Sequence, residues 1–151
     1  MTANVRRALP EDARDVSLIE LACSRHPWTE QQLREEIEFP QAYTCVLEAD
    51  GRAAGFATMQ IAAEFAHINE LGVLPEFRRN GFGRLIMTDL IREARSRGCE
   101  QMFLEVRQSN VPARNLYGSF GFGHAGTRKR FYREPEEDAL VLILDLKEDK
   151  D

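Results

Sequence analysis

Apolar residues recur along this chain sometimes every second position and sometimes at helical spacing, and the alternation predicts its elements. Val5-Arg6-Arg7-Ala8 reads as a short strand. Pro10 then opens a helix, with Glu11 and Asp12 in the first turn where acids complement the helix dipole. Val16, Leu18, Ile19 and Cys23 give that helix its apolar stripe, and His26-Pro27-Trp28 breaks it. Thr29-Glu30-Gln31-Gln32 is a capping box, with Thr29 as N-cap and Gln32 at the third helical position. The helix it opens carries Leu33 and Ile37 and stops at Pro40.

Tyr43 to Ala49 is rich in strand formers, Asp50-Gly51 is a two-residue hairpin turn, and Gly55 to Ile61 is the returning strand. His67 to Val73 forms the next strand, closed by Pro75. Gly83 to Arg97 is the longest helical pattern, with Leu85, Ile86, Leu90, Ile91 and Ala94 as its apolar positions and Gly98 just past its end. Gln101 to Val106 is an apolar strand and Pro112 to Phe120 a short helix ended by Gly121. Gly123 to Arg130 and Ala139 to Leu146 close the chain as two strands. The strand–helix–strand unit from His67 to Val106 calls for a right-handed parallel crossover. The fold class is therefore α/β of the mixed (α+β) kind, a mostly antiparallel sheet with flanking helices, and 151 residues suit a single domain over 1–151.

Composition narrows the function more than the fold. At 43% hydrophobic and 30% charged residues the chain has the balance of a soluble globule. A net charge of −5 argues against a dedicated nucleic-acid binder, RNA acceptors included. The apolar runs are too short for a transmembrane helix, and Met1 to Arg7 lacks the apolar core of a signal peptide. Cys23, Cys45 and Cys99 are far apart, no CxxC pair exists, and zinc-finger spacing is absent, so no metal is expected. The cysteines read as small hydrophobes of a reduced, cytoplasmic protein.

One cluster stands out. Between the strand at Val73 and the long helix lies Arg78-Arg79-Asn80-Gly81-Phe82-Gly83-Arg84. Successive backbone N–H groups at a helix start make an anion site, and the glycines let the backbone approach phosphates. Arg79 and Arg84 could add charge-assisted hydrogen bonds. The loop lacks the third glycine of a dinucleotide fingerprint and the Gly-Lys-Ser/Thr of a Walker loop.

The stretch Leu71 to Leu85, with its R-x-x-G-x-G core after Val-x-Pro, resembles the acetyl-CoA motif of the GNAT N-acetyltransferases. That resemblance implies a GNAT fold of about seven strands, with acetyl-CoA as cosubstrate. It implies that Leu71, Gly72 and Val73 offer backbone groups to the pantetheine arm. It also implies that Arg79, Asn80, Gly81, Phe82, Gly83 and Arg84 hold the pyrophosphate. Downstream, Leu104-Glu105-Val106-Arg107 leads through Asn110 and Ala113 to Leu116-Tyr117 and Gly121-Phe122, and then to Gly126 through Tyr132. This run, with His26-Pro27-Trp28-Thr29 and Asp138-Ala139-Leu140, resembles the ribosomal-protein alanine N-acetyltransferases, which acetylate a protein N-terminus.

An α-amine with a pKa near ~8 must lose a proton before it attacks a thioester, and the departing thiolate needs a donor. By the resemblance, Glu105 is the base, Tyr117 the acid and Asn110 a cofactor contact. Trp28, Phe131 and Tyr132 are candidate walls of the acceptor groove or plain rim aromatics, and the resemblance favours Tyr132 as a wall. Glu70 is the alternative base, or an acceptor contact, because many other GNAT enzymes carry a glutamate on this strand, and Asn69-Glu70-Leu71 departs from the alanine-acetyltransferase pattern. His67 and His124 read as structural. Attack is expected to be direct, because no cysteine falls near these motifs in the sequence. The expected acceptor is the N-terminus of a small-subunit ribosomal protein, taken up by a monomer or weak dimer without nucleic acid or membrane. A small-molecule amine or a lysine side chain is the alternative acceptor. A non-catalytic acetyl-CoA binding module is the alternative of another class, against which Glu105 and Tyr117 speak.

Overall fold

The computed structural model describes residues 1–147. Seven strands form one sheet: β1 (Ala3–Arg7), β2 (Ala42–Ala49), β3 (Arg52–Ala62), β4 (Phe65–Val73), β5 (Gln101–Arg107), β6 (Gly123–Tyr132) and β7 (Glu137–Asp145). Their order across the sheet is β1-β2-β3-β4-β5-β7-β6. Every neighbouring pair is antiparallel except β4 and β5. Four helices accompany them: α1 (Ala13–Cys23), α2 (Glu30–Glu38), α3 (Phe82–Ser96) and α4 (Val111–Ser119). Pro10 does not open α1 directly, because Pro10–Asp12 first winds as a 3-10 turn.

The strands separate two cores. Val16 and Ile19 of α1 and Leu33 and Ile37 of α2 pack with Val46 and Phe56 on one face. Ile86, Leu90 and Ala94 of α3 pack with Cys45, Leu47, Met102 and Leu104 on the other. β2 is covered on both sides, so it reads as a continuous apolar run rather than an alternation. Asp50 and Gly51 both take positive φ, 51° and 80°, as a type I′ hairpin requires.

The feature that positions the site is a break in the sheet. β4 and β5 pair only from Phe65 opposite Gln101 to His67 opposite Phe103. Directly beyond, the β3–β4 register shifts so that Thr58 faces Glu70 while Met59 faces Ile68, leaving Asn69 as the extra residue of a bulge. A bulge bends its strand and re-aims the side chains that follow. From Ile68 and Leu104 onward the two parallel strands therefore diverge, and a cleft opens between their C-terminal halves.

Candidate active site

The cleft has two connected chambers that share Cys23, Leu71, Asn110, Ala113 and Leu116. One encloses about 700 Å³ between the end of β4, the Arg78–Arg84 loop and the start of α4. The other encloses about 590 Å³ and is lined by Glu70, Glu105, Tyr117 and Tyr132. A groove of about 820 Å³ between α3 and β7 holds none of these residues.

In the first chamber α3 begins at Gly81, whose φ of 77° places it in the left-handed region, so the first N–H groups of the helix are free of a side-chain cap. Gly83 marks a close approach of α3 and α4: a Cβ there would lie 3.1 Å from Leu116 Cδ2, and the leucine would have to give way by a few tenths of an ångström. Gly72 likewise leaves room for α1, since its Cβ would meet Cys23 Sγ at 3.1 Å. The carbonyl of Gly72 faces Gly55 on β3, so the backbone groups aimed at the cleft come from its neighbours Leu71 and Val73. Of these, the Val73 carbonyl already accepts from Arg78 Nε at 2.9 Å.

Two arginines brace the loop and the helix it opens. Arg84 lines the chamber, but its guanidinium donates to Ser119 Oγ at 2.6 Å and lies 4.6 Å from the Phe120 ring centroid, pinning α3 to α4. Arg78 fastens the loop to the end of β4. Asn80 turns inward and donates to the Phe77 carbonyl at 3.0 Å. Asn110 caps α4 by accepting from Ala113 N–H at 3.2 Å, at the junction of the chambers.

The expectation that no cysteine lies near the motifs is corrected here. Cys23 ends α1 against β4, with Sγ 3.4 Å from the Val73 carbonyl, and lines both chambers. Fifty residues of sequence hid this contact. Burial pushes its thiol pKa up, so it is held as a thiol rather than as the nucleophilic thiolate. The arrangement therefore still favours direct attack, for a reason of environment and not of distance.

In the second chamber the carboxylates meet opposite surroundings. Glu105 has Oε1 2.8 Å from His67 Nε2 and Oε2 3.4 Å from Arg128 Nε. The hydrogen bond from His67 leads the effects that hold its carboxyl below the usual range. Glu70 is pushed up to about 8, first by burial and then by the neighbouring Glu20 carboxylate. Glu20 is 1% exposed, and its Oε2 accepts from Trp28 N–H at 3.0 Å.

Glu70 carries a testable consequence. Its ordinary pKa of 4.5 is raised on folding, so the native state binds the extra proton. Stability then falls as pH rises from about 4.5 to about 8 and levels off above that. Glu70→Gln removes the ionisable group at constant shape. It is expected to raise Tm at pH 8 by several degrees, for roughly 1–2 kcal/mol at ~2–4 °C each, and to leave Tm at pH 5 nearly unchanged. Thermal melts at the two pH values check it; equal shifts at both would rule out the charge explanation.

Tyr117 is 9% exposed, its hydroxyl has no hydrogen-bond partner among the described residues, and burial raises its pKa to about 12. It therefore stays protonated and available as a donor. Tyr132 borders the same chamber, with the Arg107 guanidinium 4.4 Å from its ring centroid. Arg107 also donates to the Arg133 and Pro135 carbonyls, holding the β6–β7 turn over the mouth. Across the mouth His26 Nε2 lies 3.7 Å from Glu134 Oε1. Trp28 packs into the α1–α2 core and Phe131 is exposed beside Arg128, so neither lines the chamber. His124 sits exposed on β6, 3.2 Å from Thr127 Oγ1. Among the described residues no group of His, Cys, Asp and Glu is placed to hold a metal ion, and no helix is long and apolar enough to cross a membrane.

Gly81→Val tests the first chamber. Nothing lies within 4 Å of the added Cβ, so the core is untouched, but a β-branched residue resists a φ of 77°. The loop must rearrange, and CoA affinity measured by calorimetry is expected to fall on the order of tenfold, the scale of one lost hydrogen bond to a charged group. Unchanged affinity in a folded variant would refute the assignment.

Comparison with known proteins agrees with this geometry. The chain is 35% identical over 128 residues to the [ribosomal protein bS18]-alanine N-acetyltransferase of Salmonella typhimurium, covering 83% of this chain and 86% of that one. A Bacillus subtilis protein provisionally given the same name is 33% identical over 147 residues, 97% of each chain. The crystal structure of the Escherichia coli ribosomal-protein-S18-alanine N-acetyltransferase superposes with a TM-score of 0.89 at 29% identity, over 96% of this chain and 94% of that one. Residues 13–122 match the model of the acetyltransferase (GNAT) family. With the split parallel pair, the left-handed glycine at the start of α3 and this match over most of its length, the chain belongs to the GNAT family of acetyltransferases.

Proposed function

We propose that the protein transfers acetyl from acetyl-CoA to the N-terminal α-amine of a small-subunit ribosomal protein, an alanine of the bS18 type, in the cytoplasm, with residues 1–151 as one catalytic domain. The observation that carries this reading is the 33–35% identity to proteins bearing that activity in their names, over 83–97% of the chain. The first chamber fits the cosubstrate: Leu71 and Val73 present backbone toward the cleft, and the N-terminus of α3 presents N–H groups. Acetyl-CoA, when bound, supplies the activated acetyl group as a thioester.

The remaining chemistry falls to this chain's own side chains. Glu105, ionised and facing the second chamber, takes a proton from the acceptor ammonium, directly or through a water. Tyr117 keeps its proton at neutral pH and donates it, or a hydrogen bond, to the departing sulfur. Tyr132, stacked under Arg107, forms one wall for the acceptor backbone. A second assignment of the base is favoured by one observation: Glu70, pushed up to about 8, matches an α-amine better than Glu105 does.

The acceptor class is tested with two peptides, one with a free N-terminal alanine and one with a blocked N-terminus and an internal lysine. Intact-mass analysis after incubation with acetyl-CoA is expected to show acetylation of the free α-amine alone. Equal or preferred labelling of the lysine would leave an acetyltransferase of another acceptor class.

A further inference from the structure

His67 occupies a position that the reaction above does not use. It is the last residue of β4 still paired with β5, so it stands at the vertex of the cleft, where the strands begin to part. Its ring lies flat on Phe103, 4.3 Å between centroids with 6° between planes. That stack aims Nε2 at Glu105 Oε1, 2.8 Å away and two residues further along β5. The Glu105 side chain is 10% exposed and the imidazole 34%, so one reaches the chamber while the other reaches solvent. The charged and titratable groups around the pair are Arg128 and Tyr132 from β6 and, beyond Tyr132, Glu70 from β4.

We propose that His67 is a positioning residue for acetyl transfer: its imidazole fixes the rotamer of Glu105 at the chamber wall, so that the carboxylate faces the acceptor ammonium. The inference rests on Glu105 as the base. The stack on Phe103 holds the plane of the imidazole, and its Nε2 meets Oε1 at 2.8 Å, so the carboxylate is held in one orientation at the chamber wall.

The experiment compares wild type, His67→Gln, His67→Ala and Glu105→Gln with one N-terminal peptide and acetyl-CoA. Glutamine keeps a donor for Glu105, whereas alanine removes it. His67→Ala, which frees the carboxylate, is expected to lose roughly tenfold in kcat with CoA affinity unchanged, and His67→Gln to recover most of that loss. Full activity in His67→Ala, or a His67→Gln variant as slow as His67→Ala, overturns the inference. Full activity in Glu105→Gln would instead overturn the base assignment, so the two failures are told apart.

Discussion

Glu105→Gln is expected to lower kcat by about 10²-fold or more while CoA affinity stays within error, the scale usual for removing a general base. The substitution keeps the shape of the side chain but replaces the carboxylate with a neutral amide, which cannot take a proton and no longer pairs as an anion with Arg128. Glu105 lies in the second chamber, away from the Arg78–Arg84 loop, so calorimetric titration with CoA should not register the change. Glu70→Gln is the necessary companion. Glu70 and Glu105 line one chamber from opposite strands of the split, and either could reach an acceptor nitrogen there. Their environments divide the roles: one carboxyl is held ionised by His67 and Arg128, the other is kept protonated by burial and Glu20. If Glu70→Gln is the inactive variant and Glu105→Gln turns over normally, the base is the residue on β4.

What the sequence discloses about this protein is what depends on near neighbours. The hairpin at Asp50-Gly51, the capping box of Thr29 and Gln32, and the end of α3 at Gly98, with its φ of 82°, are each settled within a few residues. The strand–helix–strand unit around the glycine loop follows from composition and length. The split between β4 and β5 does not, because it depends on one bulged residue, Asn69, whose effect appears only once β3 is in register. The missed residues share that property. Cys23 meets Val73 across 50 positions, His67 meets Glu105 across 38, and Arg107 reaches Pro135 across 28. A histidine on a strand reads as structural until the strand beside it is known. The motifs could mark where Glu105 stands, but its proton affinity is decided by β4 and β6.

Tyr117→Phe is expected to lower kcat by roughly 10²-fold and to leave the peptide KM nearly unchanged. The substitution deletes one oxygen. Because that hydroxyl has no hydrogen-bond partner among the described residues, its loss strands no buried donor or acceptor. The ring keeps its place against Phe122, 5.8 Å between centroids, so the fold and Tm should hold. Any change in rate then belongs to the chemistry. Negative charge develops on the sulfur only as the thioester bond breaks, so a hydroxyl aimed there stabilises the transition state more than the bound substrates. The deficit must therefore appear in kcat and in kcat/KM equally. Tyr132→Ala supplies the contrast. That ring is a wall of the chamber stacked under Arg107, and its removal is expected to raise the peptide KM more than it lowers kcat. Steady-state kinetics with one N-terminal peptide separates the two. A Tyr117→Phe variant that changes KM alone would move this residue from the leaving group to the acceptor groove.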